Sequence, residues 1–273
     1  MQQRDSLFNT LLVATVLCVV CSLAVSGAAV ALRPRQEANE KLDQKKNILD
    51  ATGLAIGEYG VQASLLDTAQ IEELNGWITD TLIDLETGEE PVGDWNKDLY
   101  DMVEATSAAD LSVEIDNSTY NIGEPRRPKV MKVFFVTEPG SQDPKQYVLP
   151  VFGKGLWGTL YGYLALRSDL KTIQGLTFYQ HKETPGLGGE VDNPNWKAQW
   201  EGIKLFDENG APAANVFKGP APSGDQYAVD GLSGATITSR GVTNLIQYWA
   251  SDDGYGKYLK KLSAEIASKE GAE

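Results

Sequence analysis

Between Asp5 and Arg33 the chain carries no charged side chain, and a stretch of that kind has few ways to fold. At about 1.5 Å rise per residue, Leu11 to Leu32 is long enough as a helix to cross a hydrocarbon layer of roughly 30 Å. The spacing predicts one membrane-spanning helix over residues 9–32, preceded by a short tail at 1–8. Ala29-Val30-Ala31 imitates a signal-peptidase site, so a cleaved export signal competes with a retained anchor. The apolar core exceeds the roughly 7–15 residues of such signals, which favours the anchor. Asn9 and the small residues Gly27, Ala28 and Ala29 suit packing against other membrane helices. Arg33 and Arg35 follow the helix while only Arg4 and the terminal amine precede it, so flanking charge by itself slightly favours a cytoplasmic large domain.

The 2 cysteines, Cys18 and Cys21, both fall inside this segment, where the thiol acts as a small hydrophobe rather than half of a redox pair. The water-soluble part is left without a disulfide, a thiolate nucleophile or an iron–sulfur ligand set. His181 is the 1 histidine, which excludes zinc sites built on several imidazoles and histidine-based triads within this chain. A formal net charge of -14 argues against nucleic acid or an anionic membrane surface as partner. Redox chemistry, if present, has to come from a bound organic cofactor.

Roughly 240 residues beyond the anchor are ample for one α+β domain with a sizeable core. Helical spacing runs from Glu37 to Leu54 and again from Ala69 to Thr79. Glu124-Pro125-Arg126-Arg127-Pro128 reads as an irregular linker. Met131 to Thr137, Gln146 to Phe152, Tyr161 to Leu166 and Ile173 to Gln180 are rich in β-branched and aromatic residues and are separated by Gly, Pro and Asp turns. They predict a mainly antiparallel, twisted sheet flanked by helices. The expected organisation is a helical part over 33–128, a ligand-binding part over 129–252 and a charged C-terminal helix over 253–273.

Asp230-Gly231-Leu232-Ser233-Gly234-Ala235-Thr236-Ile237-Thr238-Ser239 offers hydroxyls and compact backbone just before an amphipathic helix, whose buried face is marked by Val242, Leu245, Ile246 and Trp249. A helix N-terminus presents unpaired N–H groups and the positive end of its dipole, so a phosphate can dock there without a metal. The plainer account is an ordinary turn and N-cap. Upstream, His181-Lys182-Glu183-Thr184-Pro185-Gly186-Leu187-Gly188-Gly189-Glu190 reads as a strand running into a tight turn. Its proline and glycines let backbone pass beside a flat ligand, or simply end a strand. In Gly153-Lys154-Gly155-Leu156-Trp157-Gly158, Leu156 and Trp157 are either core residues or neighbours of a cofactor. Lys218 is either a countercharge for a phosphate or a solvated lysine.

Taken together, Ser233-Gly234-Ala235-Thr236 with Thr238 and Asp230, the Glu183-Thr184-Pro185-Gly186-Leu187-Gly188-Gly189 loop and the Gly153–Gly158 turn resemble the FMN-binding domain family. That domain is shared by the C subunit of the sodium-translocating NADH:quinone reductase (Na+-NQR) and the G subunit of the related electron transport complex. Gln44-Lys45-Lys46-Asn47-Ile48-Leu49, Ala51-Thr52-Gly53-Leu54 and Gly189 to Trp196 resemble the C-subunit branch. The likeness covers nearly the whole chain and is weakest between Leu85 and Arg127.

The resemblance implies FMN held covalently through a phosphodiester to the Thr236 side-chain oxygen, with Asp230, Ser233 and Gly234 forming the signature a flavin transferase reads. It implies cofactor contacts from Ala235, Thr238, Lys218, Glu183, Thr184, Gly186, Leu187, Leu156 and Trp157. Donors near Thr184, Leu187 and Thr238 would stabilise a reduced, anionic ring. The protein would carry electrons from NADH towards ubiquinone within a sodium-exporting complex of the bacterial inner membrane. Its large domain would lie in the periplasm, beside the membrane-embedded B, D and E subunits. A G-subunit role in the related complex and a non-redox, membrane-anchored assembly role are the alternatives.

Overall fold

The computed structural model describes residues 7–270. Most of the expected tail at 1–8 and the end of the expected C-terminal helix at 271–273 lie outside these described residues. The described chain divides into two compact units at Gln44/Lys45. The first is the body of a helix α1 that runs from Leu7 to Thr52. Leu7–Gln36 within it has a mean hydropathy of 2.4 and is nowhere buried, including both free cysteines, so by length and composition it suits a lipid surround. Where the sequence predicts a break between an anchor ending at 32 and a second helix starting at Glu37, the helix is continuous through Pro34. A single proline removes one donor and leaves the neighbouring hydrogen bonds to carry the helix.

In the second unit the end of α1 is followed by α2 (Leu54–Tyr59) and α3 (Thr68–Asn75). Helix α3 opens on a reciprocal cap, in which the Asp67 carboxylate accepts from the Gln70 N–H and the Gln70 side chain accepts from the Asp67 N–H. It ends at Gly76, short of the expected Thr79. Strand β1 (Ile78–Asp84) follows at once, within the part expected to be helical. After α4 (Met102–Ser107) come β2 (Ser112–Glu114) and β3 (Arg126–Pro128), which pair antiparallel. The expected linker at 124–128 therefore contains a strand. Buried Arg127 donates Nε–H to the Tyr248 hydroxyl at 3.2 Å and a further N–H to the Pro128 carbonyl, so the guanidinium is satisfied inside the protein.

The remaining strands match the predicted ones: β4 (Val130–Val136), β5 (Gln146–Lys154), β6 (Thr159–Arg167) and β7 (Ile173–Gln180). With β1 they form a five-stranded sheet in the order β1-β4-β5-β6-β7, every neighbour antiparallel. Side-chain alternation divides its interior. Met131, Val133, Tyr147, Leu149 and Val151 join the main core, while Val130, Val136 and Val148 are buried but outside it. Pro150 sits in the middle of β5, beyond Val148 where pairing with β4 stops, so its missing N–H leaves no gap in that ladder.

Beyond β7 lie a short helix α5 (Pro194–Lys197), a two-stranded parallel ladder of β8 (Asn215–Val216) and β9 (Ala228–Val229), helix α6 (Thr236–Ala250) and helix α7 (Gly256–Glu270). Helix α6 lies on β5, with Val242, Leu245, Ile246 and Trp249 in the core and Trp249 Nε1–H donating to the Phe152 carbonyl at 2.8 Å. Close approach depends on glycine. A Cβ on Gly241 would fall 2.4 Å from the Lys154 carbonyl, and one on Gly153 would fall 3.1 Å from Leu245 Cβ. This packing sets the first turn of α6 against the β5–β6 hairpin loop.

Candidate functional site

That loop is Gly155-Leu156-Trp157-Gly158, closed by the Gly155 N–H donating to the Gly158 carbonyl at 2.8 Å. Beneath it lies the carboxylate of Glu183, a side chain 5% exposed. Oε1 accepts from the Trp157 N–H at 2.9 Å and Oε2 accepts from the Thr238 hydroxyl at 2.5 Å. One acidic group thus joins the β5–β6 loop, the segment after β7 and the first turn of α6. Its own backbone is fixed by His181, whose Nδ1 accepts the Glu183 N–H at 3.2 Å, which leaves the ring proton on Nε2 facing Asp192 Oδ2 at 2.7 Å. A Cβ on Gly155 would come within 2.5 Å of Glu183 Oε1, and one on Gly188 within 2.4 Å of Oε2. The glycines make room for the carboxylate.

Above this clasp the protein presents Thr236. It is exposed and is the first residue of α6, preceded by Ala235, with no side-chain hydrogen bond capping the helix. The N–H groups of Thr236, Ile237 and Thr238 have no acceptor among the hydrogen bonds of the described residues. The nearby hydroxyl of Ser239 is turned back to accept the Leu232 N–H at 3.0 Å. Around Thr236 the surface is apolar where solvent would favour polar groups: Leu156, Trp157, Leu187 and Ile237 are 45%, 65%, 44% and 47% exposed. Leu187 reaches across to Gly234, whose φ of +70° and missing Cβ accept its Cδ2.

Asp230 anchors the approach to the turn. Its Oδ1 accepts the Ala221 N–H at 2.7 Å, its N–H donates to Gln199 Oε1 at 2.9 Å and Gln199 Nε2 donates back to Oδ2 at 3.2 Å. Its carbonyl accepts the Trp196 indole N–H at 2.8 Å. Gly231 lets the segment bearing Lys218 pass close by, since a Cβ there would fall 2.3 Å from the Phe217 carbonyl. Tyr161, near the start of β6, has its phenol pushed up by burial and then by the Glu124 carboxylate.

Residues 155–251 match the model of the FMN-binding domain. The chain is 40% identical over 261 residues to the C subunit of the Na(+)-translocating NADH-quinone reductase of Yersinia pestis, an alignment covering 96% of this chain and 95% of that one. It is 42% identical over 271 residues to the C subunit of Pseudomonas aeruginosa, covering 96% and 98%. This chain belongs to the C-subunit family of Na(+)-translocating NADH-quinone reductases. The crystal structure of Shewanella oneidensis NqrC superposes with a TM-score of 0.70 at 31% identity, over 81% of this chain and 99% of that one. The C subunit of Parabacteroides distasonis gives 0.62 at 29%, over 84% and 96%.

In this member of the C-subunit family the predicted site residues differ in exposure. Thr236, Ser233, Gly234, Leu156, Trp157, Thr184, Gly186, Leu187 and Lys218 are exposed, whereas Glu183, Ala235 and Thr238 are buried and Asp230 is half-buried. Two of the donors expected to face a ligand are already engaged. The Thr238 hydroxyl is committed to Glu183, and the Leu187 N–H donates to the Thr184 carbonyl at 3.1 Å. The Glu183 carboxylate bridges the β5–β6 loop and α6 below the surface. Ile237 and Arg240 were not among the predicted residues, although both lie on the exposed side of the first turns of α6 and the four-residue spacing from Thr236 to Arg240 signals a shared helix face.

Proposed function

We propose that this protein carries FMN as a phosphodiester on the Thr236 side-chain oxygen and serves as an electron carrier in a membrane NADH:ubiquinone reductase coupled to Na+ export. The observation that carries the reading is an exposed threonine at the first position of an uncapped helix, beside four exposed apolar side chains. Unused N–H groups suit a phosphate, and Leu156, Trp157, Leu187 and Ile237 suit a flat aromatic ring, so the residues present fit FMN. An ordinary N-cap would instead have turned a Ser or Thr oxygen onto the helix N–H groups. That speaks against the assembly-only role.

When bound, FMN supplies reversible electron transfer; the protein supplies position and electrostatics. The first turn of α6 would hold the phosphate charge with backbone donors and the helix dipole. Leu156, Trp157 and Leu187 would shield one side of the ring from water. Glu183 and Thr238, below the surface, would keep loop and helix at a fixed separation, and Asp230 would present the Ser233–Thr236 turn to a flavin transferase. Covalent retention suits a domain on the periplasmic side of the inner membrane, away from the cytoplasmic FMN pool, with the B, D and E subunits as neighbours.

The test is co-expression with a flavin transferase, followed by denaturation, in-gel flavin fluorescence and peptide mass spectrometry. Fluorescence in the wild type that is absent from Thr236→Val, with the FMN mass on the peptide spanning Thr236, is the expected result. Fluorescence persisting in Thr236→Val would move the attachment elsewhere, and none in either protein would leave the assembly role standing.

A further inference from the structure

Along α6 the surface opens into a groove of about 490 Å³, whose lining includes Asn121, Gly123, Lys154, Ile237, Arg240 and Asn244. Its composition runs against the rest of the molecule. In a chain of net charge -14 the lining holds two cations and no carboxylate. Neither Arg240 nor the Lys154 ammonium has a hydrogen-bond or ion-pair partner among the described residues, whereas many other lysines at the surface of this unit are paired, for example Lys45 with Glu72, Lys257 with Glu86 and Lys260 with Asp252.

The groove is built rather than accidental. Asn244 Nδ2 donates to the Asn121 carbonyl at 2.7 Å, tying α6 to the segment before β3. Gly123, with φ of +70°, lies against the Lys154 stem so closely that a Cβ there would fall 2.8 Å from Lys154 Cβ. The Lys154 N–H donates to the Ile122 carbonyl at 2.7 Å, and Gly241 lets α6 seat on the Lys154 carbonyl. These glycine, asparagine and backbone contacts hold two positive side chains at one opening.

Arg240 follows Thr236 by four residues on the same helix, and long side chains on a helix lean towards its N-terminus, over the residue one turn earlier. Ile237, next to Thr236, is itself part of the lining. We infer that Arg240, with Lys154 of the same groove, forms the binding site for the phosphate of the nucleotide esterified to Thr236, a site that rests on the attachment proposed above. The guanidinium fork suits two phosphate oxygens at once, and Lys154 adds a point charge. The phosphate would sit where the first turn of α6 meets this groove, while the ring lies over Leu156, Trp157 and Leu187. Lys218 precedes Gly219, which passes beside Gly231, and it is not part of this lining.

The test uses the full chain in detergent, flavinylated by co-expressed transferase, as wild type, Arg240→Gln, Arg240→Lys and Lys154→Gln. Peptide mass spectrometry of the wild type first establishes FMN on Thr236; its absence would overturn the attachment itself. Given attachment, the expected result is a phosphodiester ³¹P resonance that moves in Arg240→Gln and less in Arg240→Lys. On chain expressed without the transferase, transfer of the FMN moiety from FAD to the Thr236 oxygen by added transferase, with AMP leaving and the hydroxyl proton going to solvent, should slow at low salt by about tenfold in Arg240→Gln, a difference that shrinks in high salt. An unchanged resonance and unchanged transfer in both Arg240→Gln and Lys154→Gln would overturn the phosphate site while leaving the flavin on Thr236. The phosphate site is equally overturned if Arg240→Gln alters only co-purification of other subunits, because the groove would then receive an acidic partner segment.

Discussion

The hydroxyl of Thr238 donates to Glu183 Oε2 across 2.5 Å, joining residues 55 positions apart in a place water does not reach. The other oxygen of the same carboxylate receives the Trp157 N–H. The consequence is mechanical. The start of α6 and the hairpin bearing Leu156 and Trp157 cannot move apart without stranding a buried acceptor and two donors.

Replacing Glu183 with Ala should therefore cost about 2–3 kcal/mol, because the buried Thr238 hydroxyl and the partly buried Trp157 N–H lose their acceptor. Glu183→Gln keeps an oxygen for Trp157 and presents an amide to a hydroxyl that can turn to accept it, so it should cost about 1 kcal/mol. Thermal unfolding of the full chain in detergent should order them wild type, Gln, Ala. Equal midpoints for all three would mean that the clasp contributes nothing.

Glycine at 188 should be far less replaceable than glycine at 186. A methyl group at 188 would lie 2.4 Å from Glu183 Oε2 and 2.6 Å from Thr238 Oγ1, so Gly188→Ala must push the clasp apart, at about 1–3 kcal/mol. Gly186 has open space around it and a φ of +77°, so Gly186→Ala carries only backbone strain of about 1 kcal/mol. Paired denaturant titrations measure the difference, and a larger loss at 186 than at 188 would contradict the packing of Gly188 against the clasp.

How far these features were legible differs by element. Strands β4 to β7 announce themselves because both of their faces are buried and their turns carry Gly, Pro or Asp. Strand β1 does not, since Ile78-Thr79-Asp80-Thr81 follows an amphipathic helix after only Gly76 and Trp77, and its polar residues serve a half-exposed edge. The Arg126-Arg127-Pro128 strand looked like linker because two arginines and a proline normally face water. What rescues Arg127 is Tyr248, a contact 121 residues away that leaves no local trace. At the site, the Ser233–Thr236 signature and the glycine loop were readable as motifs. That the Thr238 hydroxyl donates to Glu183 depends on how α6 seats against β5.

The topology admits a direct measurement. Arg33 and Arg35 lie at the C-terminal end of the apolar span Leu7–Gln36, yet flanking charge governs long translocated domains only weakly. With a C-terminal epitope on the full chain, protease added to intact spheroplasts should remove the epitope if the domain lies in the periplasm. Protection that disappears only when the membrane is broken would place the domain in the cytoplasm and would undercut retention outside the FMN pool as the reason for the proposed covalent link.

Alkaline stability should be governed by buried phenols. Burial is the largest cause pushing the Tyr255 hydroxyl well above its usual value of 10.0, and burial likewise raises Tyr100, Tyr248 and Tyr258. With the folded pKa above the unfolded one, this stabilisation is fully present below pH 10. It is lost as pH rises from there towards the folded values, because only the unfolded chain then releases the protons. Stability should stay level up to about pH 10 and then fall by about 1.4 kcal/mol per pH unit for each such tyrosine. Tyrosinate absorbance should appear together with loss of circular dichroism, not before it. Tyr255→Phe gives up the bond from its hydroxyl to the Pro150 carbonyl, 2.7 Å long, and should lose about 1 kcal/mol at pH 7 while showing a shallower decline above pH 10. If tyrosinate forms fully while the circular dichroism is still native, the phenols are open to solvent and Tyr255 does not belong to the core.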